Sequence, residues 1–404
     1  MTGRDFPADF TWGAATAAHQ VEGGNVNSDW WEFEHRPGTA AVESSGDAID
    51  HYHRYAEDFA LLRSLGHNAH RLSLEWSRIE PAAGEFSGAA LAHYRRVLTA
   101  LVDAGLTPFV TLHHFTLPRW LADRGGWLAP DAVELFGRYC RTVGAALGDL
   151  MPFVCTVNEP QMVALHGYLE GYHPPGRTNP VLWKRVGGVL IDAHDAAVRA
   201  IRATSPASSP GLCAQLPLLA PIRDDPACQA LLALMRHEIV DRYLDGLTGD
   251  WLGVQYYRKQ WVDPASPTWF AAPPPDFPLT QMGWAVHPDG LRQMLHHAAE
   301  RTGLPLFVTE NGIATGDDEE RIDYLDGHLT ALAQARAEGV DVRGYLHWSA
   351  FDNFEWSEGY RPTFGLVAVD RARDLARVPR PSAYAFGRVA ASGRLAALRE
   401  PSTA

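Results

Sequence analysis

The chain has 404 residues, of which 46% are hydrophobic and 21% are charged, and its formal net charge is -13. This composition excludes a disordered chain, and the scattered Lys and Arg residues disfavour a nucleic-acid partner, because phosphate binding relies on clustered positive charge. The amino-terminal residues lack an apolar stretch after a basic start, and no segment approaches the roughly 20 apolar residues of a membrane span. We therefore expect a soluble, cytoplasmic protein with no membrane partner.

Eight short apolar segments alternate along the chain with longer segments of helical periodicity. The predicted strands are residues 10–17, 68–74, 107–113, 153–157, 211–216, 251–257, 305–310 and 343–349. Apolar residues recur at helical spacing at Phe136, Tyr139, Cys140, Val143, Leu147 and Leu150, and again, after a start signal at Pro288-Asp289, at Leu291, Met294, Leu295 and Ala298. Repeated strand–helix units predict an α/β fold, a (β/α)8 TIM barrel in a single domain over residues 1–404, with its active site at the C-terminal ends of the strands.

Two segments fall outside this repeat. The proline-rich residues 264–278 are expected to form a loop after the sixth strand, in which Trp269 and Phe270 either shape the substrate entrance or belong to a surface excursion. From about residue 395 onward, the chain is expected to fray from a helix into a disordered tail.

Cysteine and histidine spacings give no metal pattern. Cys140, Cys155, Cys213 and Cys228 lie far apart and are expected to be buried free thiols. His113 and His114 are adjacent on a strand and therefore point to opposite faces, His296 and His297 lie on a helix, and His51 and His53 could share a strand face without a third ligand. No glycine-rich nucleotide motif is present. We expect neither a metal nor a cofactor.

Two glutamates follow apolar strands in the motifs Asn158-Glu159-Pro160 and Glu310-Asn311-Gly312. A lone glutamate at a strand end more often forms a salt bridge or caps a helix. Two of them at the rim of one barrel suit glycosidic bond hydrolysis, in which one carboxyl group donates a proton and the other stays charged and attacks. The apolar strand before Glu159 favours a raised pKa, and hence a general acid, while the Asn158 amide can bind a sugar hydroxyl.

Seven segments in order resemble glycoside hydrolase family one, the β-glucosidase-like retaining hydrolases. They are FTWGAATAAHQVEG (10–23), HRLSLEWSRIEP (70–81), TLHHFTLPRWL (111–121), TVNEP (156–160), GYLEGYHPPG (167–176), VTENGIA (308–314) and GYLHWSAFDNFEWSEGYRPTFGLVAVD (344–370). The resemblance covers nearly the whole chain. It implies a retaining double displacement on a small β-glycoside, without nucleic acid, cofactor or metal.

The resemblance also implies roles for single residues. Glu310 is then the nucleophile and Glu159 the acid/base, with Arg71 and Tyr257 beside the nucleophile. The matched sugar-binding positions are Gln20, His114, Asn158, Gln255, Glu355, Trp356 and Phe364, with Trp348 as the stacking floor. In isolation, such Trp and His residues more often belong to a core.

Glu355-Trp356 carries a further implication, because family members that cleave 6-phosphosugars usually lack this acidic contact. A carboxylate at Glu355 would repel a phosphate, which predicts an unphosphorylated sugar of glucose, galactose or fucose configuration. The chain departs from the family pattern at Gln255, where asparagine is common, at His70 and at Phe115. It is also short over residues 243–254, which predicts a more open leaving-group site.

Three functions remain open from the sequence. The first is a retaining β-glycosidase, and the second is a transglycosylase that uses the same two glutamates. The third, a noncatalytic sugar-binding barrel, is disfavoured because both glutamates are present. The oligomeric state is not indicated.

Overall fold

The structure, a computed structural model, describes residues 5–400. Eight parallel strands close into a barrel in chain order. They are β1 (Thr11–Ala15), β2 (Ala69–Ser73), β3 (Thr107–His113), β4 (Phe153–Asn158), β5 (Ser209–Gln215), β6 (Trp251–Gln255), β7 (Leu306–Glu310) and β8 (Val342–Trp348). The predicted barrel and all eight predicted strands are confirmed, because parallel strands covered on both faces leave continuous apolar runs in the sequence.

Helices surround the barrel. The α-helices are Ala18–Val21, Asp29–His35, His51–Ser64, Trp76–Ile79, Gly88–Asp103, Arg119–Ala122, Ala132–Leu147, Pro160–Ala164, Pro180–Thr204, Pro226–Ile239, Pro288–Thr302, Asp318–Ala337 and Pro381–Ser392. Shorter turns are the 3-10 helices Gly126–Leu128, Gly148–Leu150, Asp241–Tyr243, Trp356–Glu358 and Leu395–Arg399 and the π-helical segment Leu165–Glu170. The predicted apolar faces of Ala132–Leu147 and Pro288–Thr302 are buried, and Leu150 lies just beyond the first of these helices.

Successive side chains along each strand point alternately into and out of the barrel, which divides the core into an inner and an outer part. One buried cluster takes a side chain from each of seven strands, β2 to β8: Ala69, Phe109, Cys155, Cys213, Trp251, Phe307 and Leu346. The larger cluster lies mainly between the strands and the helices. The inner cluster closes the barrel below the C-terminal ends of the strands, so the space above it is available for a site.

Two small sheets extend the loops at the C-terminal end of the barrel. Leu218–Pro221, Lys259–Val262 and Phe270–Ala271 form a three-stranded sheet, and Val367–Asp370 pairs with Ala376–Pro379. Residues 264–278 are therefore not wholly a loop, because Phe270 and Ala271 pair with the strand before them. Trp269 packs on Trp183, with ring centroids 6.1 Å apart.

Some predictions need correction. Residues 395–400 do not form a tail, because the 3-10 helix Leu395–Arg399 buries Ala397 and Leu398, while residues 401–404 lie outside the described residues. His51 and His53 lie on the helix His51–Ser64 and not on a strand, since two residues cannot distinguish the two periodicities. The four cysteines are buried and free, as predicted. Within residues 5–400, every helix is too short or too polar to cross a membrane.

Candidate active site

A cavity of about 340 Å³ opens at the C-terminal ends of the strands. Ten of the residues singled out in the sequence line it: His114, Phe115, Asn158, Glu159, Tyr257, Glu310, Trp348, Glu355, Trp356 and Phe364. Neither Trp269 nor Phe270 does, so the proline-rich segment does not form the cavity wall through these two side chains.

Glu310, the last residue of β7, is held by two donors. Its carboxylate accepts hydrogen bonds from the Arg71 guanidinium and, at 2.6 Å, from the Tyr257 hydroxyl. Burial raises the pKa of Glu310 above its ordinary value, while Arg71 and Tyr257 oppose that rise. Both donors favour the charged form, so this carboxylate is fixed in position and directed at the cavity.

Glu159, directly after β4, is in a different setting. Its backbone is left-handed (φ 45°), and its N–H donates to the Cys213 carbonyl on β5 at 2.8 Å. Within residues 5–400, its side chain has no hydrogen-bond or ion-pair partner. Burial first, and then the charge of Glu310, raise the pKa of Glu159 well above its ordinary value, against the opposing charges of Arg71 and Arg258. A buried carboxyl group without a donor favours the protonated form.

Asn158 has a fixed amide orientation. Its Oδ1 accepts hydrogen bonds from Arg71 and, at 2.8 Å, from Gln255 Nε2, and its Nδ2 lies 3.3 Å from His114 Nε2. The amide nitrogen is therefore the group left to meet a ligand. Gln255 is fully buried, does not line the cavity, and reaches Asn158 through its amide. Its contact with substrate stays a prediction.

Glu355 closes the other end of the cavity. Its Oε1 accepts from Asn353 Nδ2 at 3.0 Å and Trp348 Nε1 at 3.3 Å, and its Oε2 from Gln20 Nε2 at 3.4 Å. Burial raises the pKa of Glu355 to about 8, so the neutral form of this carboxyl group predominates at pH 7. The expectation that its charge repels phosphate is therefore not supported at neutral pH.

Gln20 is placed behind Glu355 and not on the cavity surface. It is fully buried, its Nε2 donates to the Phe354 carbonyl at 2.7 Å, and its Oε1 is buried without a partner. The contact between Gln20 and the substrate stays a prediction, and the hydrogen bonds of its amide nitrogen connect it to the Phe354 carbonyl and to Glu355.

Aromatic rings form much of the wall. The His114 ring is nearly parallel to the rings of Trp348 and Trp356, with centroids 6.0 Å away in both cases. Phe115 (φ 70°) and Trp356 (φ 53°) share the left-handed backbone of Glu159. Such strain is retained where the surrounding structure fixes it, often at functional sites. Flat apolar faces next to polar groups suit a pyranose, which has hydroxyls at its rim and C–H groups on its face.

Sequence reasoning missed part of the cavity lining. His166, Tyr172, His173, Gln215, Arg258, Met282 and Trp284 also line it. Tyr172 and His173 fall inside one of the seven resembling segments, and Arg258 directly follows Tyr257, so position along the chain was a usable signal for these three residues. Nothing in the local sequence marks Met282 or Trp284.

The remaining histidines of the sequence analysis have separate partners. The His113 ring packs on Trp127 outside the barrel, with centroids 5.1 Å apart, whereas His296 and His297 bond to Glu338 and Asp241. Among residues 5–400, no group of three His, Cys, Asp or Glu side chains is arranged to hold a metal ion.

Comparisons with known proteins agree with this geometry. A family model described as "Glycosyl hydrolase family 1" matches residues 2–248 and 241–394. Beta-glucosidase A of Thermotoga maritima is 34% identical, over 96% of this chain and 98% of that protein. The bifunctional beta-D-glucosidase/beta-D-fucosidase of Bifidobacterium breve is 34% identical, over 90% and 94%. The crystal structure of beta-glycosidase BGL167 superposes with a TM-score of 0.88 at 40% identity, over 99% of both chains.

Proposed function

The chain belongs to glycosyl hydrolase family 1, and we propose that this glycoside hydrolase acts on terminal, unphosphorylated β-D-glycosyl residues, β-glucosides first among them. One observation carries the assignment of roles. Two buried glutamates line one cavity, but among the described residues Glu310 accepts from two donors while Glu159 accepts from none. The first setting suits a charged nucleophile and the second a proton donor.

In the first step, a carboxylate oxygen of Glu310 attacks the anomeric carbon as the bond to the leaving oxygen breaks. Glu159 gives its proton to that oxygen, so the aglycone departs as a neutral alcohol. The sugar is then esterified to Glu310. Arg71 donates to one carboxylate oxygen of Glu310 and Tyr257 to the other, so together they keep Glu310 in position before the attack. The donor on the oxygen that does not attack can hold that oxygen in the ester.

In the second step, the roles reverse. Glu159, now a carboxylate, takes a proton from a water molecule, whose oxygen attacks the anomeric carbon and releases Glu310. Ester formation removes the charge of Glu310, which is one of the causes that raise the pKa of Glu159. The pKa of Glu159 is therefore higher in the resting enzyme, where the group must hold its proton. It is lower in the intermediate, where the group must be ionised to act as a base. Retention requires the two carboxyl groups to be about 5 to 5.5 Å apart.

Recognition of the sugar falls to the groups around Glu355. Its carboxyl group, the Asn158 amide nitrogen and His114 offer directional bonds, and Trp348 offers a flat face. Among the described residues that line the cavity, Arg258 is the one Lys or Arg, and its charge opposes the rise in the pKa of Glu159. A 6-phosphate near Glu355 would thus lack a cationic partner, which supports an unphosphorylated sugar.

The activities named for the relatives support glucose, and fucose as an alternative, at the cleaved end. A screen of p-nitrophenyl β-glucoside, β-fucoside and β-galactoside tests this choice, with NMR following the first anomer formed. We expect the fastest turnover on the glucoside or fucoside and the β anomer of the free sugar first. Release of the α anomer first, or no turnover of any of the three, would contradict the proposal.

A further inference from the structure

Arg258 is a cavity residue that the double displacement does not use. It lies between β6 and the strand Lys259–Val262, and its backbone carbonyl accepts from Leu218 N at 3.3 Å. Its guanidinium carbon is 4.8 Å from the centroid of the Trp284 ring, which also lines the cavity. The side chain therefore has a defined place on the wall, stacked on an indole.

The guanidinium of Arg258 has no polar partner. Within residues 5–400 it makes no side-chain hydrogen bond and no ion pair, and its Nε is buried and unsatisfied. Other enclosed arginines of the chain are paired: Arg377 with Asp58 at 2.8 Å, and Arg380 with Asp352 at 2.7 Å. Since a partly buried, unpaired cation is costly, a cavity that retains one is suited to a ligand that supplies the missing charge.

The acidic residues of the cavity do not supply that charge. Glu310 is paired with Arg71, and Glu358 with Arg361. Burial raises the pKa of Glu355 to about 8 and that of Glu159 well above its ordinary value, which favours the neutral form of both carboxyl groups. The uncompensated charge of the cavity is thus the positive charge of Arg258.

The position of this charge identifies the part of the substrate that it meets. Arg258 shares the cavity wall with Glu159 and Tyr172, and the charges of Glu170 and Glu159 oppose the fall in its pKa that burial causes. Glu159 protonates the leaving oxygen, so Arg258 lies on the leaving-group side. Glu170 is itself occupied by His166, whose Nδ1 lies 2.7 Å from it.

We propose that Arg258 is a specificity-determining residue that binds an oxyanion on the aglycone, so that the enzyme prefers β-glycosides of acidic, preferably aromatic, alcohols. This inference rests on the proposed function. The planar fork of a guanidinium matches a carboxylate with two parallel hydrogen bonds, and Trp284 and Met282 provide an apolar surface for the ring that bears it.

The test compares 4-carboxyphenyl β-D-glucoside with its methyl ester, which differs at the charged group. In the wild-type enzyme and in Arg258→Gln, kcat/KM is measured for both substrates. We expect the variant to lose about tenfold or more on the carboxylate and less than about threefold on the ester. Equal losses on the two substrates would show that Arg258 acts through Glu159 or supports the fold, and would overturn the proposal.

Two further variants separate charge from geometry. Arg258→Lys keeps the positive charge without the planar guanidinium and should retain part of the preference for the carboxylate over the ester. This variant also tests the proposal if Arg258→Gln fails to fold. Arg185→Gln, which changes the net charge equally at an exposed position of the helix Pro180–Thr204, should leave the ratio of the two substrates unchanged. A similar fall of the ratio in Arg185→Gln would mean that bulk charge and not Arg258 sets the preference.

The wild-type enzyme provides an independent readout. Benzoate should inhibit hydrolysis of p-nitrophenyl β-glucoside more strongly than benzamide. Turnover of 4-sulfophenyl and 4-phosphophenyl β-glucosides, compared with that of the 4-carboxyphenyl β-glucoside, shows which oxyanion the site prefers. Equal inhibition by benzoate and benzamide, or a preference for p-nitrophenyl β-glucoside 6-phosphate that Arg258→Gln removes, would count against an aglycone site. Absence of turnover on every neutral glucoside would instead refute the proposed function itself.

Discussion

Glu310 and Glu159 are chemically identical side chains at the ends of two strands of one barrel, but their surroundings differ. Glu310 receives hydrogen bonds from Arg71 and Tyr257, which lie on β2 and just after β6. Glu159 lies on a left-handed backbone and has no donor among residues 5–400. For both, burial is the main cause that raises the pKa, but only for Glu310 do bonded donors oppose it.

This difference indicates that neighbouring groups, and not residue type, divide the roles. Arg71 also donates to Asn158, so one guanidinium joins the nucleophile to the residue just before the acid/base. The donors of Glu310 come from strands on either side of the barrel interior. Glu159 is instead fixed through its backbone, by the bond to Cys213, which leaves its carboxyl group free to transfer a proton.

Removal of the restrained glutamate should have the largest effect. We expect Glu310→Gly to lower kcat by at least about 10⁴-fold, because it removes the carboxylate that attacks the anomeric carbon. Circular dichroism and thermal unfolding check that the barrel is intact. Added azide or formate should restore turnover, and azide should give the α-glycosyl azide. Near-normal turnover without an added nucleophile would show that Glu310 is not the nucleophile.

Removal of the unrestrained glutamate should have a smaller and substrate-dependent effect. Glu159→Ala should lose about 10² to 10⁴-fold on alkyl glucosides, which need a proton to depart, and far less on 2,4-dinitrophenyl glucoside. Azide should here yield the β-glycosyl azide, the opposite anomer from Glu310→Gly. Equal losses on both leaving groups, with no azide product by NMR, would remove the acid/base assignment.

The sequence was sufficient to predict the barrel and the position of both glutamates on its rim. Each parallel strand is covered on both faces, which produces an apolar run with turn residues at its ends, and Glu159 and Glu310 directly follow or close such runs. The short strand Phe270–Ala271 was missed because two residues are too few to show an alternating pattern, and because the segment around them is rich in proline.

Side-chain pairing could not be predicted in the same way. Gln255 bonds to Asn158, 97 positions away along the chain, and this contact depends on the register of β4, β5 and β6. Likewise, Gln20 meets the backbone of a loop more than three hundred residues later. The neutral state expected for Glu355 depends on its burial by several loops, for which a single sequence has no signal.

Substitution at the far end of the cavity should have an intermediate effect. A hydrogen bond between uncharged groups contributes about 0.5 to 1.5 kcal/mol, and Glu355→Ala removes the contacts of both carboxyl oxygens, so it should lower kcat/KM for a β-glucoside about 10 to 100-fold. A β-fucoside lacks the 6-hydroxyl and should lose less. Parallel measurement of the two substrates in the same variant controls for folding, and identical losses would contradict a role of Glu355 at the 6-hydroxyl.

The mildest change removes one donor from Glu310 and tests the comparison through pH. Activity requires an ionised Glu310 and a protonated Glu159, so kcat/KM should rise through the pKa of Glu310 and fall through the higher pKa of Glu159. The Tyr257 hydroxyl favours the ionised form of Glu310, and Tyr257→Phe should therefore raise the pKa of Glu310. The acid limb of the pH profile should move upward by about one pH unit, while the basic limb stays in place.

Tyr256 provides a matched control for that experiment. Its hydroxyl donates to the His287 carbonyl at 2.8 Å, outside the cavity, so Tyr256→Phe removes the same group from the adjacent residue. We expect the acid limb of this variant to coincide with that of the wild-type enzyme. If Tyr257→Phe left the acid limb unmoved, or shifted it downward, the hydroxyl would not stabilise the charged nucleophile. The contrast between the two glutamates would then depend on Arg71 alone.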